Sequence, residues 1–308
     1  MNKKVLGFVS IMIIIVCIAY IIFDIATGRS EKKEASVTGI ADDTFETRWQ
    51  ISQEISIDYG TLTSVTLTND KVICAGDSFL AVYDRNLSEI WNKSLTTGIK
   101  AVVAQGDTIF AATKEEIILL TLSGNRIDTW GPYDDDAIIT CISVNSRYVA
   151  FADAGNKLVF VLNKNGALES IVGHPGNQFI IPSPYFDVAL TKEDTLVIAN
   201  TGKRNIEFRS IDGTLIRAIG EAGDSLEYFC GCCNPAHFAI FPDGDIATAE
   251  KGINRIKIIR KTGDLVEPVA QPDNFMASVP VDLAISSNGL IYAANRYNSV
   301  LYVFKRVD

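Results

Sequence analysis

Three stretches decide the fold: FDVALTKEDTLVIANTGKRNIEFRSIDG (186–213), HFAIFPDGDIATAEKGINRIKIIRKTG (237–263) and VDLAISSNGLIYAANRYNSVLYVFK (281–305). Each reads as an apolar strand, a turn rich in Asp, Asn or Gly, a second apolar strand, a polar turn and a third strand. Weaker copies occupy 64–84, 101–124 and 140–166. Matching the first strands at Val65, Val102, Ile142, Val188, Phe238 and Leu283 gives separations of 37, 40, 46, 50 and 45 residues. That period, with about four short strands per unit, is the size of a propeller blade. One such unit cannot cover both faces of its own sheet, whereas six around an axis cover one another and leave only short edges. The spacing therefore predicts an all-β, six-bladed β-propeller over residues 45–308, with about four antiparallel strands per blade. The sixth unit stops after its third strand, while ETRWQISQEISI (46–57) precedes the first unit with strand-like alternation. This N-terminal strand is expected to complete the last blade and close the ring.

The repeats resemble the NHL-repeat family of six-bladed β-propellers. The likeness is best in FPDGDIATAEKGINRIKIIRKTGDLV (241–266), where a DG turn, an acidic residue after the second strand, an Asn-Arg pair and a closing Gly occur in the family's order. The first two units depart from it: TNDKVICAGDSFLAVYD (68–84) has no Arg in its loop, and TKEEIILLTLSG (113–124) has neither the Asn nor the Arg. The resemblance implies a fold first, because one fold hosts many functions. The family includes protein-interaction scaffolds and a few enzymes, among them metal-dependent lyases whose histidine ligands this chain largely lacks. Binding is therefore favoured over catalysis, and no catalytic residues are assigned.

Before the repeats, VLGFVSIMIIIVCIAYIIF (5–23) runs nineteen positions without a charge. As a helix it would be roughly 28 Å long, enough to span a bilayer. The apolar run is longer than a signal-peptide core and ends in Asp24 without a small-residue cleavage site, which predicts an uncleaved anchor over 1–24. Residues 25–44 are polar with few large apolar side chains and read as a linker. Lys3 and Lys4 flank the segment on a purely basic side, so a single-pass protein is expected with its propeller outside the cytoplasm, periplasmic or extracellular.

Composition narrows the functions. Net charge is −9, and residues 35–308 hold 23 Lys/Arg against 34 Asp/Glu. A body that acidic repels phosphate backbones, so nucleic acid is not an expected partner. The chain has two histidines, which leaves no three-histidine metal site.

In a propeller the connections from a blade's last strand to the next blade's first, and those from second to third strands, share the face that carries the central mouth. The two long spacings come from insertions there, GHPGNQFIIPSPY (173–185) and GEAGDSLEYFCGCCNPA (220–236). Loops longer than a hairpin needs are commonly functional. In CGCCNP (230–235), Cys230, Cys232 and Cys233 lie within four positions, and Cys230 with Cys233 forms a CxxC pair. Such spacing suits three chemistries: a structural disulfide in an oxidising compartment, ligation of zinc, copper or an iron–sulfur cluster with His237 close by, or a redox dithiol. The loops from second to third strands place Asn200 and Arg204, Glu250, Lys251 and Arg255, and Asn295 and Arg296 around the mouth. These convergent polar groups are candidates for binding an anionic small molecule or a loop of a protein partner. The expected function is a membrane-anchored scaffold docking a partner or ligand on this face; the alternative is a redox or metal protein built on the cysteines.

Overall fold

The computed structural model describes residues 46–307 apart from 175, 177, 271–274 and 276–278, together with Met12, Val16, Ile18 and Ala19. Those four are helical positions; the rest of the apolar segment 5–23 and the linker 25–44 lie outside the described residues. Among the described residues no helix is long and apolar enough to cross a membrane.

The described strands form six four-stranded antiparallel sheets. Blade 1 is β2 (Leu62–Leu67), β3 (Lys71–Gly76), β4 (Phe79–Asp84) and β5 (Glu89–Ser94). Blade 2 follows with β6 (Ala101–Gln105), β7 (Thr108–Ala112), β8 (Ile117–Thr121) and β9 (Arg126–Trp130). Blade 3 holds β10 (Ile139–Val144), β11 (Tyr148–Asp153), β12 (Leu158–Asn163) and β13 (Leu168–Val172). Blade 4 holds β14 (Val188–Leu190), β15 (Leu196–Asn200), β16 (Asn205–Arg209) and β17 (Leu215–Ile219). Blade 5 holds β18 (His237–Ile240), β19 (Ile246–Ala249), β20 (Ile256–Ile259) and β21 (Leu265–Ala270). Blade 6 takes β22 (Asp282–Ile285), β23 (Ile291–Asn295) and β24 (Val300–Arg306) from the C-terminus and β1 (Trp49–Ser56) from the other end of the chain, in the order β1-β24-β23-β22. The pairing of β1 with β24 runs from Trp49↔Arg306 to Ser56↔Val300, so the strand expected to close the ring does so.

Strand composition follows distance from the axis. The second strands are covered on both faces by neighbouring blades and read as continuous apolar runs, as in LVIAN of β15, where all five residues are buried. The outermost strands face solvent and are polar, as in EIWNKS of β5. Each of the six blade junctions has its own apolar cluster: Ile73, Leu80 and Val82 of blade 1 meet Val102, Ile109 and Leu120 of blade 2, and blades 6 and 1 meet through Leu301 and Val303 against Leu62, Val65 and Phe79. The outer hairpins explain the closing glycines. Gly166 turns at φ +81°, and a Cβ there would stand 2.7 Å from the Trp130 ring of the preceding blade. A side chain at this position is excluded both by backbone conformation and by the packed indole.

Candidate functional site

One residue before each aligned first-strand position stand Ser64, Ala101, Cys141, Asp187, His237 and Asp282. All six line the central channel, a cavity of about 170 Å³ bounded by the innermost strands of every blade. Several of these side chains tie a blade to the next. Ser64 Oγ accepts from Val102 N at 3.1 Å, Cys141 Sγ donates to Val188 O at 3.3 Å, Asp187 Oδ2 accepts from Phe238 N at 2.8 Å, and Asp282 Oδ2 accepts from Val65 N at 2.9 Å. Between the two carboxylates lies His237, its Nδ1 3.6 Å from Asp187 Oδ2 and 3.8 Å from Asp282 Oδ1.

Burial alone would push the His237 pKa down, but the hydrogen bond and charge of Asp187, aided by the charge of Asp282, outweigh it and raise it. The two acids on either side therefore favour the protonated imidazole. Burial raises Asp282 in turn. Because the folded state keeps the His237 proton to higher pH than the unfolded chain does, the stabilisation is complete below about pH 6.5 and fades as pH rises through the folded value. We expect urea unfolding between pH 6 and 9 to show a decline in stability that the His237→Gln variant lacks. Parallel profiles for the two proteins would rule the ion pair out as its source.

Next to this layer, and sharing Thr63, Lys100, Thr140 and His237 with it, lies a mouth of about 180 Å³ lined also by Ile138, Ile139, Pro184, Tyr185, Pro280 and Arg296. The walls are apolar at Ile138, Pro184 and Pro280, and the charged groups are the cations Lys100 and Arg296, beside the His237 imidazole. Lys251 adds a third, its Nζ 5.2 Å from the centre of the Tyr185 ring, which itself meets His237 edge-on at 5.8 Å. His237 Nε2 has no protein partner among the described residues, its Nδ1 edge being taken up by the carboxylates. On a chain of net charge −9, a mouth of this sign is a local inversion.

Of the seven residues expected at the mouth, the structure places Lys251 and Arg296 there. Four of the others, Asn200, Glu250, Arg255 and Asn295, are buried. Glu250 is fully buried and pairs with Arg255, Oε1 2.7 Å from Nε and Oε2 3.1 Å from Nη2, and with Lys257 Nζ at 3.1 Å. Burial brings the Lys257 pKa down to about 8 even beside Glu250. The cations hold the 220–236 loop: Arg255 Nη2 donates to Tyr228 O at 3.0 Å, Lys257 Nζ donates to Leu226 O at 2.9 Å and Tyr228 O at 2.5 Å, and its ammonium lies 4.4 Å over the Phe229 ring. Blade 4 repeats the device for the 173–185 loop. Asn200, also buried, accepts from Ile180 N at 2.9 Å and donates to Glu207 Oε1 at 2.9 Å. Glu207 pairs with buried Arg209 at 2.5 Å, whose guanidinium packs 5.2 Å from the Phe179 ring. Arg204 is a turn residue at φ 58°, and Asn295 is buried with Oδ1 accepting from Tyr297 N at 3.0 Å.

The cysteine loop differs from its expected pairing. Cys232 and Cys233 bring their sulfurs within 2.7 Å, while Cys230 Sγ approaches Asp224 Oδ1 at 3.9 Å. His237, grouped with the cysteines by its proximity in sequence, belongs instead to the channel. Among the described residues no three His, Cys, Asp or Glu side chains come together as a metal site. Cys74 and Cys141, the distant thiols, are held protonated by burial. Asp187, Asp282, Lys100 and Tyr185 were not singled out by sequence motifs. The signal for three of the channel groups was a column: Asp187, His237 and Asp282 occupy one position of the repeat, where an apolar strand should begin.

No family model and no curated protein matches this chain. Solved structures with the same fold include the WD40 β-propeller domain of Doa1 (12% identity, covering 84% of this chain and 97% of that one, TM-score 0.59). A streptogramin B lyase is also similar (11% identity, 83% and 97% covered, TM-score 0.58). A Bacteroides thetaiotaomicron protein of unknown function reaches TM-score 0.60 at 10% identity, with 82% and 72% covered. At these identities the likeness is one of fold.

Proposed function

We propose that this chain is a binding propeller, anchored in a membrane by residues 5–23 with its propeller outside the cytoplasm, that takes a carboxylate-bearing ligand at the central mouth. The observation that carries the reading is the convergence of Lys100, Arg296 and Lys251, beside the His237 imidazole, on one cavity with apolar walls. A cavity of about 180 Å³ admits a small molecule or a single acidic side chain of a partner loop rather than a folded domain. Two long loops, pinned by buried ion clusters, stand on the same face and would contact a larger partner around that anchor. Propellers often serve as interaction scaffolds, which supports a binding role over a catalytic one.

A calorimetric titration with small mono- and dicarboxylates, and with amines of the same size as controls, tests this. The carboxylates should bind and the amines should not. The double variant Lys100→Glu, Arg296→Glu should weaken binding by about 100-fold, since each charge-assisted contact contributes about 1.5 kcal/mol or more. Binding of amines in preference to carboxylates would overturn the assignment.

A further inference from the structure

The CGCCNP loop carries chemistry that the mouth does not use. Its backbone is clamped by buried Asn234, whose Nδ2 donates to Cys230 O at 2.7 Å and to Lys251 O at 3.0 Å, while Oδ1 accepts from Lys251 N at 2.6 Å. Upstream, Phe229 N donates to Glu221 O at 2.8 Å, and buried Phe229 sits beneath the Lys257 ammonium. The turn from Cys230 to Cys233 is therefore tied at both ends to blade 5 and its preceding loop. A dithiol on such a support keeps its geometry without spending binding energy on ordering a mobile segment. Within the turn the three thiols are unequal: Cys233 is buried, Cys232 is exposed, and only these two have sulfurs in contact, at 2.7 Å. Cys230 is turned toward Asp224.

We infer that Cys232 and Cys233 form a reversible vicinal disulfide by exchange with a small-molecule disulfide, with exposed Cys232 attacking first and buried Cys233 resolving. The thiolate of Cys232 attacks one sulfur of the incoming disulfide; a Cys232–sulfur bond forms, the original sulfur–sulfur bond breaks, and one thiolate leaves. The thiolate of Cys233 then attacks Cys232 Sγ, forming the intraprotein bond and expelling the second thiolate. The two protons given up by the cysteines end on the two leaving thiols, so two protein thiols are oxidised and one disulfide is reduced. Accessibility sets the order, because of the two paired cysteines Cys232 is exposed and Cys233 is buried. The hydrogen bond with Cys233 pushes the Cys232 thiol up, so the first step accelerates with rising pH through its thiolate fraction.

The test uses the full-length chain in detergent, reduced and then equilibrated across ratios of reduced to oxidised glutathione, acid-quenched, alkylated with N-ethylmaleimide and mapped by peptide mass. The wild type should lose alkylation at Cys232 and Cys233 together, with Cys230 still modified. Cys233→Ser should trap glutathione on Cys232, about tenfold above wild type. Cys230→Ser should leave the pair intact, and circular dichroism confirms that both variants remain folded. A Cys230–Cys233 or Cys230–Cys232 bond in the wild type, a stable glutathione adduct on wild-type Cys232, or loss of the vicinal bond in Cys230→Ser would each overturn the inference.

Discussion

A chain beginning at residue 58 is expected not to form a stable monomer, whereas one beginning at residue 45 should fold and stay in solution. The shorter chain loses β1 entirely, and with it the pairing of Trp49 to Ser56 against β24. It leaves β24 as an open edge, the arrangement that recruits a strand from another molecule. It also removes Trp49 from the junction of blades 5 and 6, where the indole packs in the apolar cluster and its Nε1 donates to Glu267 Oε1 at 3.0 Å. Ile57, buried against blade 1, goes too, with its amide bond to Ser299 O at 2.8 Å. Losses on this scale rival the ~5–15 kcal/mol by which a domain is stable at all. Size-exclusion chromatography and thermal melts followed by circular dichroism decide it: a monomeric 58–308 fragment with the melting temperature of the 45–308 fragment would mean that the ring does not depend on its closing strand.

The second large effect is expected at Glu250. Substituting Ala strands two cations, Arg255 and Lys257, in a setting that excludes water, and breaking one partner out of a buried pair costs about 3–5 kcal/mol. The damage should be local as well as global, because those cations fasten the carbonyls of Leu226 and Tyr228. Limited proteolysis should therefore cut within 220–236 in Glu250→Ala before the rest of the propeller yields. The triple variant Glu250→Met, Arg255→Met, Lys257→Met removes the charges together and should recover most of the global stability while leaving the loop loose. Denaturant unfolding of both variants checks the prediction; a single variant within about 0.5 kcal/mol of wild type would show that the cluster is solvated and energetically neutral.

The architecture was legible because blade strands carry their apolar pattern at a fixed period, and because ETRWQISQEISI alternates as a strand ahead of the first unit while the sixth unit stops after its third strand. The site was less so. Glu250 and Arg255 stand in a turn that does lie on the mouth face, but position in a turn does not say whether a side chain points out or folds back under the next loop. The available clue was Lys257, a cation in the apolar run IKII, and the matching Glu207 and Arg209 in NIEFR. Charges inside a strand buried on both faces need partners, and the nearest candidates were the ones assigned to ligand. The channel acids are hidden for a related reason: the repeats align on their apolar positions, and the polar column beside them has the look of strand beginnings. His237 follows the cysteines closely in sequence, whereas strand alternation in β18 turns it away from the loop and into the axis.

The ties along the channel also have an order in time. Ser64 reaches forward from blade 1 to blade 2, Cys141 from blade 3 to blade 4, and Asp187 from blade 4 to blade 5. Each can form as soon as the following blade is synthesised, so the growing chain can be secured unit by unit as it emerges. Asp282 alone reaches backward, from the last blade to Val65 of the first, and β1, the strand made earliest, finds its partner only when β24 is complete. The first strand of the propeller to leave the ribosome is the last to be paired, and the blades between must already be in place when it is.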